Sequence, residues 1–283
     1  MAHTIGFTHD VALPAIGQGT WYMGENAHQR KSEVAALQCG LDLGLTVIDT
    51  AEMYADGGAE EVVGEALKGR RDSAWLVSKV CPWNAGHSDA INACERSLAR
   101  LKTDYLDLYL LHWRGGVPLD ETIRAMETLQ QQGKIRRWGV SNFDSDDMQA
   151  LLNERGGEAC AANQVLYHLA SRGIEYDLLP LCRERAMPVM AYCPLAQAGR
   201  LRHDLMTHVK LNEIAQQKGV SVAQLLLAWV IREEGVMAIP KAGSIQHVKE
   251  NAAALDITLT RAERETIDRA FPAPDRKLPL DIV

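Results

Sequence analysis

Eight short runs rich in Val, Ile and Leu recur along the chain, separated by segments in which apolar residues return every three or four positions. The runs are "AIGQGTW" (15 to 21), "TVIDTA" (46 to 51), "AWLVSKV" (74 to 80), "LDLYLLHW" (106 to 113), "IRRWGVSN" (135 to 142), "AANQVLY" (161 to 167), "PVMAYCPL" (188 to 195) and "GVMAIPKA" (235 to 242). Each has the length of a buried strand, and intervening patterns such as "RKSEVAALQCGLDLG", "SDAINACERSLARL", "DETIRAMETLQQQG" and "EYDLLPLCRERA" have the apolar period of helices. Gly44, Gly69 and Gly133 close three of these segments, as glycine commonly closes a helix. Strand and helix alternating eight times predicts an α/β chain, and 283 residues suit a (β/α)8 TIM barrel, whose typical size is roughly 250.

An open, doubly wound sheet is the competing architecture. Two features favour the barrel. "GQGTWY" lacks the third glycine of the dinucleotide fingerprint G-x-G-x-x-G, and the interval between the seventh and eighth runs holds more than one helical pattern, an insertion that barrels tolerate. The opening "TIGFTHDVAL" reads as an N-terminal β-hairpin with its turn near His9 and Asp10, plugging the bottom of the barrel. No Pro/Gly/Ser-rich linker divides the sequence, so residues 1–283 are expected to form a single (β/α)8 domain.

Composition excludes several functions. The 37 acidic residues outnumber the 30 basic ones, with no cationic block of the kind that neutralises nucleic-acid phosphates, so no nucleic acid is expected as a partner. The N-terminus lacks a basic stretch followed by an apolar one, and no later segment offers about eighteen consecutive apolar residues, so the expectation is a cytoplasmic protein with no membrane partner. Cys39, Cys81, Cys94, Cys160, Cys182 and Cys193 never form C-x-x-C and read as buried thiols, without disulfides or a metal site.

The runs end in polar groups. The second ends at Asp49, the third at Lys79, the fourth at His112, the fifth at Ser141 and Asn142, the sixth at Gln164, the seventh at Tyr192 and the eighth at Lys241, while Tyr54 follows Asp49 on the next loop. In a parallel barrel these ends share one face, where the loops build active sites. Taken singly, Asp49 reads equally as a helix cap, Lys79 as a snorkelling surface lysine and His112 as a core histidine. Their coincidence on neighbouring strands argues for a site.

Asp, Tyr, Lys and His together suit proton donation to a carbonyl oxygen. An ammonium held beside a phenol is expected to bring its pKa down from about 10, so Lys79, paired with Asp49, would tune Tyr54 while His112 orients the substrate oxygen. Ser141, Asn142 and Gln164 offer groups for a carboxamide, Tyr192 a ring face for stacking, and Lys241 a charge for a phosphate.

With these motifs in place the sequence resembles the aldo-keto reductase superfamily: "GLTVIDTAEMY" with "EEVVG", "ERSLARLKTDYLDLYLLHW", "GKIRRWGVSNF", "NQVLYH", "MAYCPLA" and "AIPKAGSIQHVKEN" follow in the family's order. The resemblance implies a monomer-sized barrel, a dimer remaining open, that binds NADPH (NADP+) and reduces a small-molecule carbonyl. It implies a catalytic tetrad of Asp49, Tyr54, Lys79 and His112. Cofactor-binding positions would be Gly19, Thr20, Trp21, Ser141, Asn142, Gln164, Tyr192, Pro194, Leu195, Lys241, Ala242, Ser244, His247, Glu250 and Asn251, and Trp21, Trp83, His112 and Trp113 would line the substrate pocket. The wording of "GQGTWYMGE", "AEMYADGGAE" and "PLAQAGRL" is similar to bacterial members that reduce methylglyoxal and related small dicarbonyls. Two departures stand out. Ala242 and His247 occupy places where the family often has serine and an arginine for the 2′-phosphate, and the tail "PDRKLPLDIV" is short, which predicts an open pocket. The alternatives are a Schiff-base barrel lyase using Lys79 and an NADPH-binding barrel with little turnover.

Overall fold

The computed structural model describes residues 3–8 and 11–283. Strands β1 (Thr4–Thr8) and β2 (Val11–Pro14) pair as an antiparallel hairpin. Eight further strands follow: β3 (Gln18–Gly19), β4 (Val47–Asp49), β5 (Trp75–Val80), β6 (Leu106–Leu111), β7 (Ile135–Ser141), β8 (Asn163–Leu166), β9 (Val189–Tyr192) and β10 (Val236–Ala238). They form one parallel sheet that runs in chain order from β3 to β10. A doubly wound sheet reverses its strand order part-way; this one does not.

The sheet closes on itself. Parallel bridges join Ile16 to Ala238 and Gly19 to Lys241, with backbone bonds from Ala238 N to Ala15 O (2.9 Å), Gly17 N to Ala238 O (2.8 Å) and Gly19 N to Pro240 O (3.1 Å). Gly19 is needed at this seam, because a Cβ there would lie 2.6 Å from the Ile239 carbonyl oxygen. The TIM-barrel expectation is therefore met, although the first run, 15–21, contributes only a two-residue strand.

Helices wrap the barrel with apolar residues turned inward, and His87–Leu101 does so along one stripe. In His87–Leu101 the buried positions are Ala90, Ala93, Cys94, Ser97, Leu98 and Leu101, the three-and-four spacing of a single face. Gly44, Gly69 and Gly133 have φ of 87°, 75° and 71°, the left-handed closure expected of them. After β9 there are three helices, Arg200–Thr207, Val209–Lys218 and Val222–Val230. The hairpin buries Ile5, Phe7 and Leu13, and Phe7 packs edge-on against Trp75 at the start of β5, 4.4 Å between ring centroids. It thus covers the end of the barrel opposite the polar strand ends; its turn at His9 and Asp10 lies outside the described residues.

The six cysteines are free, four of them buried. Among the described residues no helix is long and apolar enough to cross a membrane, and no group of His, Cys, Asp or Glu is arranged to hold a metal ion.

Candidate active site

Asp49 ends β4 with its side chain facing the barrel interior, 2% exposed. A carboxylate this deep needs partners on both oxygens. Oδ2 accepts from Lys79 Nζ at 2.8 Å and Oδ1 accepts from Gln164 Nε2 at 2.7 Å. Lys79, on β5, is fully buried, and its ammonium donates to Asp49, to the Thr50 carbonyl oxygen at 2.9 Å and to the Tyr54 hydroxyl at 3.2 Å. An ammonium has three protons and no lone pair. The Tyr54 oxygen is therefore the acceptor, and its own proton is free to point away from the lysine.

Tyr54 stands between the His112 ring (5.7 Å, edge-on) and the Trp21 ring (6.4 Å, stacked). The expectation that Lys79 brings its pKa below the ordinary value needs correcting. Burial first, and then the Asp49 charge, hold the phenol well above it. The lysine's charge is already matched by Asp49 at 2.8 Å, so little of it is left to oppose the loss of water. Burial also lowers Lys79, against the charges of Asp49 and Glu60.

His112 follows β6 directly, its backbone N–H bonded to the Val80 carbonyl at 2.9 Å. Burial and then the Lys79 charge press its pKa down to about 2, so the imidazole is neutral. Its Nδ1 is buried without a partner. An unpaired acceptor costs less than an unpaired N–H, which places the single proton on Nε2.

A second cluster lies across the barrel mouth. Asn142 turns out of β7 with φ of 57°, in the left-handed region that asparagine tolerates. Its Nδ2 donates to the His112 carbonyl at 3.1 Å and its Oδ1 accepts from the Tyr192 hydroxyl at 2.7 Å, which fixes the Tyr192 ring. Ser141 Oγ donates to the Gln164 carbonyl at 2.8 Å. Since one Gln164 proton is committed to Asp49, its side-chain oxygen is the group left to accept from a ligand.

These residues line one cavity of about 480 Å³. It brings together three of the four expected catalytic groups, Asp49, Tyr54 and His112, with Lys79 directly beneath. It also gathers Gly19, Thr20, Trp21, Ser141, Asn142, Gln164, Tyr192, Pro194, Leu195 and Lys241, together with Trp113. Trp83 is not in the wall; it is 64% exposed and meets Trp113 edge-on at 5.6 Å. Ala242, Ser244, His247, Glu250 and Asn251 lie beyond Lys241 and outside the wall. Ser244 caps the helix Ile245–Ala253 by accepting from the His247 N–H, and His247 is exposed.

The wall also contains residues that strand-end reasoning passed over: Tyr22, Met53, Gln197, Arg202 and Val283. Tyr22 stacks on Trp21 at 4.7 Å, and Gln197 Nε2 reaches its hydroxyl at 3.5 Å. The aromatic pair was visible in the sequence; Arg202, on a helix after β9, carried no signal. Val283 brings the short tail to the cavity. The tail is held down by Ser171, which donates to Asp281 at 2.5 Å, and it forms part of the wall.

The arrangement suits a dinucleotide: a fixed tyrosine ring, amide and hydroxyl groups beside it, and the cations Lys241 and Arg202 in the same wall. It does not suit a Schiff base, because Lys79 is fully buried with all three protons engaged.

Residues 15–271 match the aldo/keto reductase family. Methylglyoxal reductase YeaE of Escherichia coli (strain K12) is 66% identical over 279 residues, covering 99% of this chain and 98% of its own. Glyoxal reductase of Bacillus subtilis (strain 168) is 34% identical, with 97% of each chain covered. The crystal structure of an aldo/keto reductase from Klebsiella pneumoniae in complex with NADP and acetate superimposes over 100% of both chains, with a TM-score of 0.98 and 65% identity.

Proposed function

The chain belongs to the aldo/keto reductase family and is an NADP(H)-dependent oxidoreductase; from that premise we propose that residues 1–283 form one catalytic domain that reduces small aldehydes, ketones and 2-oxoaldehydes such as methylglyoxal, with Tyr54 as the proton donor. The substrate class is supported by the 66% identity to the E. coli methylglyoxal reductase over nearly the whole of both chains. The cofactor is supported by the likeness to the Klebsiella pneumoniae structures that contain NADP or NADPH.

Bound NADPH supplies the hydride. Tyr192, Ser141, Asn142 and Gln164 would hold its nicotinamide end, and Lys241 with Arg202 its phosphates. His112, neutral, donates Nε2–H to the carbonyl oxygen and sets it beside the Tyr54 hydroxyl. Burial keeps Tyr54 protonated until that oxygen becomes strongly basic, so the proton is present when needed and leaves only then. The phenolate left behind accepts the Lys79 N–H, whose charge Asp49 maintains.

The observation that carries this reading is the third Lys79 proton directed at the Tyr54 oxygen, with His112 alongside. The test follows NADPH absorbance with methylglyoxal, aromatic aldehydes, ketones and sugars in turn. Oxidation dependent on a carbonyl and slowed about a hundred-fold or more by Tyr54→Phe is expected. No oxidation with any of them, or a variant as fast as the parent, would sink the reading.

A further inference from the structure

The backbone just after Tyr54 adopts an unusual turn. Ala55, Asp56 and Gly57 have φ of 51°, 52° and 88°, three left-handed residues in succession. Two of them carry a Cβ, and such conformations persist only where their surroundings hold them.

What lies against the turn is Arg100. A Cβ on Gly57 would sit 2.5 Å from Arg100 Cδ and 2.6 Å from Nε, so the arginine stem rests on bare backbone. Arg100 belongs to the helix His87–Leu101, and its Nε donates to Glu60 Oε2 at 2.6 Å while Nη2 donates to Ser97 Oγ at 3.3 Å. Glu60 is fully buried in the first turn of the helix Gly58–Ala66, which begins where the left-handed turn ends. Its other oxygen, Oε1, accepts from Ser78 Oγ at 2.6 Å, and Ser78 precedes Lys79 on β5. One ion pair thus touches both the loop that carries Tyr54 and the strand that carries Lys79, and neither of its members lines the cavity.

We infer that Arg100 and Glu60 are positioning residues for proton transfer: they clamp the left-handed turn against β5 so that the Tyr54 hydroxyl stays within hydrogen-bonding reach of the Lys79 ammonium. This rests on the role proposed above for Tyr54. The Glu60 charge also helps Lys79 remain an ammonium against burial. An arginine suits the place because its planar group can hold Glu60 while its stem lies flat on Gly57, which a lysine's single point charge does not reproduce.

Removing one member alone strands a buried charge and threatens the fold. The test therefore uses Glu60→Gln combined with Arg100→Met, which removes both charges at similar volume, together with Arg100→Lys. In the double variant the NADPH dissociation constant from fluorescence titration should be unchanged and KM little moved. Single-turnover reduction should slow about ten-fold or more, the scale of loss that follows a misplaced catalytic group. Arg100→Lys should fall between the double variant and the parent. The Tyr54 ring resonance, assigned in protein carrying isotope-labelled tyrosine by its absence from the Tyr54→Phe counterpart, should shift in the double variant as the phenol oxygen loses its hydrogen bond from the Lys79 ammonium. A folded double variant with parental turnover and an unshifted Tyr54 resonance overturns the inference, as does a loss of melting temperature with neither of those changes. A parent protein that reduces no carbonyl overturns the functional reading instead, and the Tyr54 resonance still decides the clamp.

Discussion

Lys79 has three protons and three acceptors, and most of what the site does at the scale of single residues follows from that. Tyr54→Phe removes only the donor, so NADPH binding should persist while reduction slows by roughly 10² to 10⁴; titration and turnover on the same preparation check both. Lys79→Met leaves the Asp49 carboxylate buried with Gln164 alone, which should cost about 3–5 kcal/mol in denaturant melts and abolish most of the rate. Adding Asp49→Asn should restore stability and not rate; recovery of both would make the pair structural. His247 poses a question of selectivity. It is exposed on the first turn of its helix, beyond the Lys241 end of the cavity. His247→Arg should tighten NADPH by about ten-fold at pH 8 and leave NADH nearly unchanged, the scale of one charge-assisted hydrogen bond; equal effects on the two would place His247 away from the 2′-phosphate.

Among the elements, the strands were more legible than the turns between them. A strand buried on both faces is nearly all apolar, so "WLVSKV" and "LDLYLL" mark themselves, and the polar residue at each end stands out against that background. Gly69 announced itself as a helix closure. Gly57 did not, because the reason for it is Arg100, a residue on another helix. The two glycines therefore make a matched test. Gly69→Ala meets nothing within 4 Å and should lose only the left-handed backbone preference, about 1–2 kcal/mol, with turnover intact. Gly57→Ala carries the same backbone cost and also drives a Cβ into Arg100, so it should lose about 3 kcal/mol or more and slow reduction as well. Equal losses in denaturant midpoint with parental turnover in both would show that the contact at Gly57 is unimportant.

For the molecule as a whole, two buried histidines set part of its acid sensitivity. Burial presses His112 to about 2 and His168 to about 4, both from 6.5. Each is neutral in the folded state and takes up a proton more readily when unfolded, so its contribution is complete above pH 6.5 and is lost as pH falls, down to about 4 for His168 and about 2 for His112. Each should steepen the loss by about 1.4 kcal/mol per pH unit within its window. Urea melts between pH 7.5 and pH 5 should show the slope, and His168→Gln should reduce it; an unchanged slope would remove His168 from the account. The sequence alone determined the alternation of strand and helix, the count of eight and the row of polar strand ends, because periodicity and burial are local properties written in residue order. Only the tertiary structure decided that Gln164 shares Asp49 with Lys79, that burial outweighs the ammonium at Tyr54, that Arg202 and Val283 enter the wall, and that Arg100 braces the turn after Tyr54. Those depend on which distant side chains meet and how much water they exclude, and residue order carries no local signal for either.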